Sequence, residues 1–260
     1  MGDALKTALD LYQEHKYDEA LGEFLKMEEE YNGDSRLLNN IALCYANTHD
    51  FEKAEYYYQK ALSYDAKQAQ IYVNFADLLF QQQKIVEAIE LLQNAIYELP
   101  ENVTVRHYLA RVYLEDKRFD EAISTLDTVL ELSPKNPDAH WDLGMLYFEL
   151  GDWYSAISNF EEVVETVDNN PLIFYQLGLA YEANDELDKA MTAYFKAIAA
   201  NQDFPLAYKK LGMLFMARND AEDAIEYYET YLSFELPEEE KAQIEKIIGT
   251  LKLKLNDIRT

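Results

Sequence analysis

Residues 137–170 read PDAHWDLGMLYFELGDWYSAISNFEEVVETVDNN, and Ala156 inside them is one of seven alanines set 34 residues apart. The others are Ala20, Ala54, Ala88, Ala122, Ala190 and Ala224, each in a similar neighbourhood, such as YDEAL at 17–21, FEKAE at 51–55, FDEAI at 119–123 and AEDAI at 221–225. A fixed period without slippage means one structural unit copied end to end. The copies run 1–34, 35–68, 69–102, 103–136, 137–170, 171–204 and 205–238, leaving 239–260 outside the period.

Counting each copy from 1 to 34 puts the alanine at position 20 and exposes the rest of the pattern. Position 8 is always nearly bare: Ala8, Ala42, Ala76, Ala110, Gly144, Gly178 and Gly212. Position 11 is Leu11, Tyr45, Leu79, Tyr113, Tyr147, Tyr181 and Phe215, and position 24 is Phe24, Tyr58, Leu92, Leu126, Phe160, Tyr194 and Tyr228. Such spacings gather apolar residues on one helical face, so each copy is predicted to be two helices, near positions 2–14 and 17–31. Antiparallel helices approach to ~8–10 Å only where bulky side chains are absent at the crossing, which is the task of positions 8 and 20. The large residues at 7, 11, 17 and 24 then fill the space around each crossing. All six prolines (Pro100, Pro134, Pro137, Pro171, Pro205, Pro237) fall at copy junctions, away from helix interiors, where each would cost ~3 kcal/mol.

The last segment is predicted as one more amphipathic helix over 238–258, with Ile244, Ile247, Ile248, Leu251, Leu255 and Ile258 on one side. Its expected role in 239–260 is a cap over the final copy; docking or dimerisation is the alternative.

This pattern resembles the tetratricopeptide repeat family over residues 1–238, most fully in the third to sixth copies. Leu143, Gly144, Tyr147, Ala156 and Phe160 match the family signature in the fifth. Departures such as Ala4, Thr7, Ala221, Tyr231 and Leu236 cluster in the end copies, where one face lacks a neighbour. The resemblance implies an all-α fold, an α-solenoid in which antiparallel helix pairs form a right-handed superhelix. It also implies a concave groove lined by the first helices and a role in holding other proteins. Some members clamp a C-terminal carboxylate with basic residues and Asn at positions 5 and 9 of the first repeat. Here Leu5 and Leu9 stand there, followed by Val73 and Asn74 in the third repeat, so that clamp is absent.

Composition narrows the partner. Net charge is −26, and since 239–260 carries five cations against four acids, the other 238 residues hold −27. That disfavours nucleic acid and anionic membranes, whose phosphates need clustered Lys and Arg. The bland meaning is a solvated exterior; the sharper one is attraction of a basic partner. No apolar run approaches the ~18 residues that a membrane span requires, so no membrane insertion is expected. The N-terminus lacks a signal-peptide layout, and the single Cys44 suits a reducing compartment. A cytoplasmic location is expected.

Positions 2, 5, 6, 9, 12 and 13 of the first helices are free of the core pattern and make up the candidate groove. Asn40 and Asn74 share position 6, with Gln176 a near match. An amide carries both donors and acceptors, so such a ladder could hold a peptide backbone; ordinary surface amides are the alternative. Later copies add Tyr108, Trp141, Met145, Phe148, Tyr175, Leu179, Met213 and Met216. Exposed Trp and Tyr anchor interfaces, and Met adapts to varied partners. Packing against a neighbouring copy is the competing role for Leu179, Met213 and Phe148, whereas Trp141 and Tyr175 are expected to be exposed. Arg111, Lys209 and Lys210 could draw acidic groups, with Asp138, Asp142, Glu149 and Glu182 around them.

No chemistry competes with binding. HExxH, CxxC, GxGxxG and P-loop spacings are missing, Cys44 has no evident base, and no carboxylate pair sits in an apolar context. The sequon at Asn102 is read as chance. The expectation is a non-enzymatic adaptor, without cofactor or metal, that binds a peptide or amphipathic helix of a protein partner. The alternative is a structural subunit that self-associates through its end copy or C-terminal helix.

Overall fold

The computed structural model describes residues 2–31, 33–167 and 169–259. Among them are fifteen helices and no strand. First helices are α1 (Gly2–Gln13), α3 (Ser35–Asn47), α5 (Ala69–Gln81), α7 (Val103–Glu115), α9 (Pro137–Leu150), α11 (Pro171–Ala183) and α13 (Pro205–Ala217). Second helices are α2 (Tyr17–Glu28), α4 (Phe51–Tyr64), α6 (Ile85–Glu98), α8 (Phe119–Leu132), α10 (Trp153–Thr166), α12 (Leu187–Ala200) and α14 (Ala221–Leu232), and α15 (Glu238–Arg259) follows. From α3 and α2 onward, each series begins every 34 residues. The fold is an all-α solenoid of consecutively packed helix pairs.

Local chemistry sets these boundaries. Asp34, Asn102, Asn136 and Asn170 cap α3, α7, α9 and α11, their side-chain oxygens accepting backbone N–H bonds such as Ala139 N to Asn136 Oδ1 at 2.9 Å. Asn102, the sequon residue, therefore has a capping role. Pro137, Pro171 and Pro205 open α9, α11 and α13, where a missing N–H costs nothing and φ is already helical. Each first helix ends on a left-handed residue at position 15: His15, His49, Gln83, Lys117, Gly151, Asp185 and Asn219. The next N–H reaches back five residues, as from Lys16 to Leu11 O at 3.0 Å and from Glu186 to Tyr181 O at 2.8 Å. These bonds close a Schellman motif that satisfies orphan carbonyls and turns the chain into the second helix.

The chain forms two compact units, Met1–Pro134 with α1–α8 and Lys135–Thr260 with α9–α15. In both, the helix crossings use the bare positions. All seven period alanines are 0% exposed, and the seven large residues at position 24 are 0–1% exposed. Position 17 is half-buried in every copy, including Ala221. Fully burying each such Leu, Phe or Tyr contributes on the order of 1.5–3 kcal/mol, so the core is spread along the array.

At the end of the second unit, α15 lays Ile244, Ile248 and Leu251 against Ile225, Tyr228 and Tyr231 of α14, with Ile247 and Leu255 at the margin. Ile258 lies outside the residues whose side chains are described. None of the described helices is long and apolar enough to cross a membrane.

Candidate functional site

In the first unit, the free positions of the first helices form a polar, internally bonded surface. Asn74 Nδ2 donates to Asn39 Oδ1 at 2.9 Å, while Gln70 Nε2 donates to Asn74 Oδ1 at 2.8 Å. Of the two amides that share position 6, Asn74 thus bonds Asn39, buried at position 5 of α3, rather than Asn40. The reason is helix staggering: the half-buried Asn40 lies one residue, about 100°, further round α3 than the residue that meets α5. Further along, Asn47 Nδ2 donates to Tyr12 Oη at 3.0 Å, and Tyr108 Oη to Asp77 Oδ1 at 3.0 Å. Burial and the Asp77 carboxylate both raise the Tyr108 hydroxyl pKa, partly opposed by the nearby Arg111. Arg111 itself is exposed. Tyr12, Asn47, Asn74, Asp77 and Gln81 border a cavity of about 250 Å³ over the Tyr58 ring. Asn39, Asn47 and Asp77 were legible only as residues on free positions; their pairing spans 31–35 residues and has no local signal.

The corresponding face of the second unit differs. Trp141 and Tyr175, expected as exposed anchors, are half-buried and pack on the core of this unit. The Trp141 ring lies 5.6 Å from Phe160, and Tyr175 lies 5.7 Å from Tyr194 and 5.5 Å from Phe204. Position 5 points toward the position-24 ring, so a large aromatic there gains more by packing than by standing in water. Phe148 is half-buried in an edge-to-face contact with Trp153 at 5.1 Å, and Leu179 is half-buried too. By contrast, Met145 and Met213 are 37% and 41% exposed. With Leu179 they share position 9, so one apolar side chain from each of α9, α11 and α13 meets solvent in register.

Two lysines of α13 are also engaged internally. Lys209 Nζ stands 2.5 Å from Glu240 of α15, and the same carboxylate accepts from Tyr231 Oη at 2.7 Å. Lys210 Nζ is 3.0 Å from Glu182 of α11, which accepts from Tyr194 Oη at 2.7 Å. Both cations are therefore engaged as internal braces between helices rather than offered to acidic ligands. Lys209 and Tyr231 hold the Glu240 carboxyl below its usual range, and burial with Glu182 drives Tyr194 upward. Gln176 and Asp142 are half-buried on α11 and α9. Burial pushes the Cys44 thiol up to about 12, so it stays protonated at neutral pH and serves packing.

A tetratricopeptide repeat model matches residues 5–71, 142–204 and 175–240, and a second one matches 48–98, 79–131 and 113–157. The chain belongs to the tetratricopeptide repeat family. Proteins of this kind mediate protein–protein interaction and are generally non-enzymatic scaffolds. No curated protein matches the sequence. Among solved structures, the C-terminal part of a TPR repeat-containing protein from Cytophaga hutchinsonii is 17% identical with a TM-score of 0.75, covering 92% of this chain and 98% of its own. YrrB, described as a TPR protein with an unusual peptide-binding site, is 26% identical with a TM-score of 0.54, over 71% of this chain and 95% of its own. MamA is 25% identical with a TM-score of 0.57, over 65% and 96%.

Proposed function

We propose that this chain is an adaptor that binds a segment of another protein across the first helices α9, α11 and α13 of its second unit. The observation that carries this reading is the register of Met145, Leu179 and Met213, apolar side chains at one repeated position with two of them over a third exposed. Adaptable Met side chains at a surface suit an apolar ligand face. Residues 136–188, which contain α9 and α11, hold no Lys or Arg, and Asp138 and Glu149 of α9 are exposed. The favoured ligand is therefore amphipathic and basic, extended or helical, and it acts by binding without catalysis in a reducing, cytoplasmic setting. The peptide-binding neighbour supports a peptide ligand of some kind.

The test is direct titration with a fluorescent, Lys-rich amphipathic peptide and an acidic counterpart of equal apolar content. The basic peptide should bind, more weakly as salt rises, and Met145→Asp with Met213→Asp should weaken it by about tenfold or more. Equal binding of the acidic peptide, or none lost in the double variant, would reject the site. Self-assembly through the end copy or α15 is the competing reading, and a concentration-dependent sedimentation coefficient would favour it.

A further inference from the structure

The first-helix face of the second unit does not end at α13. Met216 lies one turn beyond Met213 on the same side of that helix and is 38% exposed. With Ile247, Leu251 and Leu255 of α15 it lines a cavity of about 340 Å³. Lys246 and Lys254, two turns apart on α15, stand at its rim, and no carboxylate among the described residues lines it. In a chain with 49 acids and 23 cations, that is a local inversion of sign. Lys252, on another side of α15, is satisfied by Glu229 at 2.7 Å, and Lys209 by Glu240, whereas Lys246 and Lys254 are exposed and make no ion pair among the described residues.

At the other end of the same face the signs are opposite. Asp138 and Glu149 are exposed on α9 and make no salt bridge among the described residues, and no Lys or Arg occurs from 136 to 188. Between the two ends, Lys210 is neutralised by Glu182. The apolar strip thus runs from an anionic rim at α9 to a cationic rim at α15.

Given a bound segment on this face, as proposed above, we infer that it is dipolar and lies in one direction, its cationic end over α9 and its anionic end over the α15 cavity. A charge pair at a partly exposed rim contributes little affinity, ~0.2–1 kcal/mol, but reversed placement sets like charges together at both ends, and that difference selects orientation. Three interhelix steps of at least ~10 Å call for about ten or more extended residues, at ~3.3 Å each.

The experiment uses a synthetic peptide of about that length, Lys-rich at one end, Glu-rich at the other, with Leu between. One version carries a benzophenone at the cationic end and a second carries it at the anionic end. After irradiation of the full chain, the first label should map to Met145 and its neighbours and the second to Met216 or α15. Labels scattered equally, or mapped to the opposite ends, would overturn the direction. In titration, the dipolar peptide should bind several-fold tighter than a uniformly cationic one of equal apolar content. Lys246→Glu with Lys254→Glu should abolish that preference, and both residues are exposed, so folding is left alone. Equal binding of the two peptides by the unaltered chain would overturn the charge gradient alone. Failure of every peptide to bind would remove the binding face itself and the direction with it.

Discussion

At position 15 of six copies, a non-glycine residue holds a left-handed backbone, with φ between 58 and 63° at His15, His49, Gln83, Lys117, Asp185 and Asn219. That conformation costs an L residue ~1–2 kcal/mol, while glycine gives back ~0.5–1 kcal/mol through unfolded-state entropy. Lys117→Gly should therefore stabilise the chain by about 0.5–1 kcal/mol, read as a higher thermal midpoint; a lower midpoint would show the strain to be absorbed elsewhere. Gly178 is the reverse case. A Cβ there would lie 2.5 Å from the Tyr194 ring, and that ring is fully buried and tied to Glu182. Gly178→Ala should cost about 1–3 kcal/mol through overpacking, measured by urea denaturation. The bare residue at position 8 was legible because its spacing repeats. Asn39 was not, because Asn39 and Asn40 carry the same side chain and only the stagger of α3 against α5 decides which one bonds Asn74.

Among the elements, α15 has the clearest energetic role. Its Ile244, Ile248 and Leu251 cover Tyr228 and Tyr231, so removal of residues 239–260 should lower the thermal midpoint and promote aggregation; an equally stable monomer would refute the capping role. The Lys209–Glu240–Tyr231 cluster adds a pH-dependent tie. The Glu240 carboxyl is lowered from its ordinary 4.5, chiefly by its bond to Lys209 and then by Tyr231. A lowered folded pKa means stability that is present above pH ~4.5 and is lost as pH falls through the lower folded value. Glu240→Gln should thus flatten the acid side of a plot of melting midpoint against pH, while changing little if the tie is weak. Helix identity and start points were readable from prolines and apolar spacing. Which helix each lysine braces was not, since Lys210 and Glu182 lie 28 residues apart and Lys209 and Glu240 lie 31 apart.

For the molecule as a whole, a net charge of −26 makes the compact state self-repulsive. Raising salt screens that repulsion over a Debye length that shrinks to ~8 Å at 0.15 M. Moderate salt should therefore raise the melting midpoint even as it weakens binding of a basic peptide, and a midpoint that falls with salt would point to dominant internal ion pairs. The period of 34 by itself determined the helix pairs, their crossings and the family, because small and large residues at fixed spacing can bury one another in only one helical register. Tertiary structure decided what the free positions do. Trp141 and Tyr175 turn into the core, Lys209 and Lys210 are spent on distant carboxylates, and Met145, Met213 and Met216 are left to solvent. Spacing along one helix specifies a face; whether a side chain on that face meets water depends on what other helices place beside it.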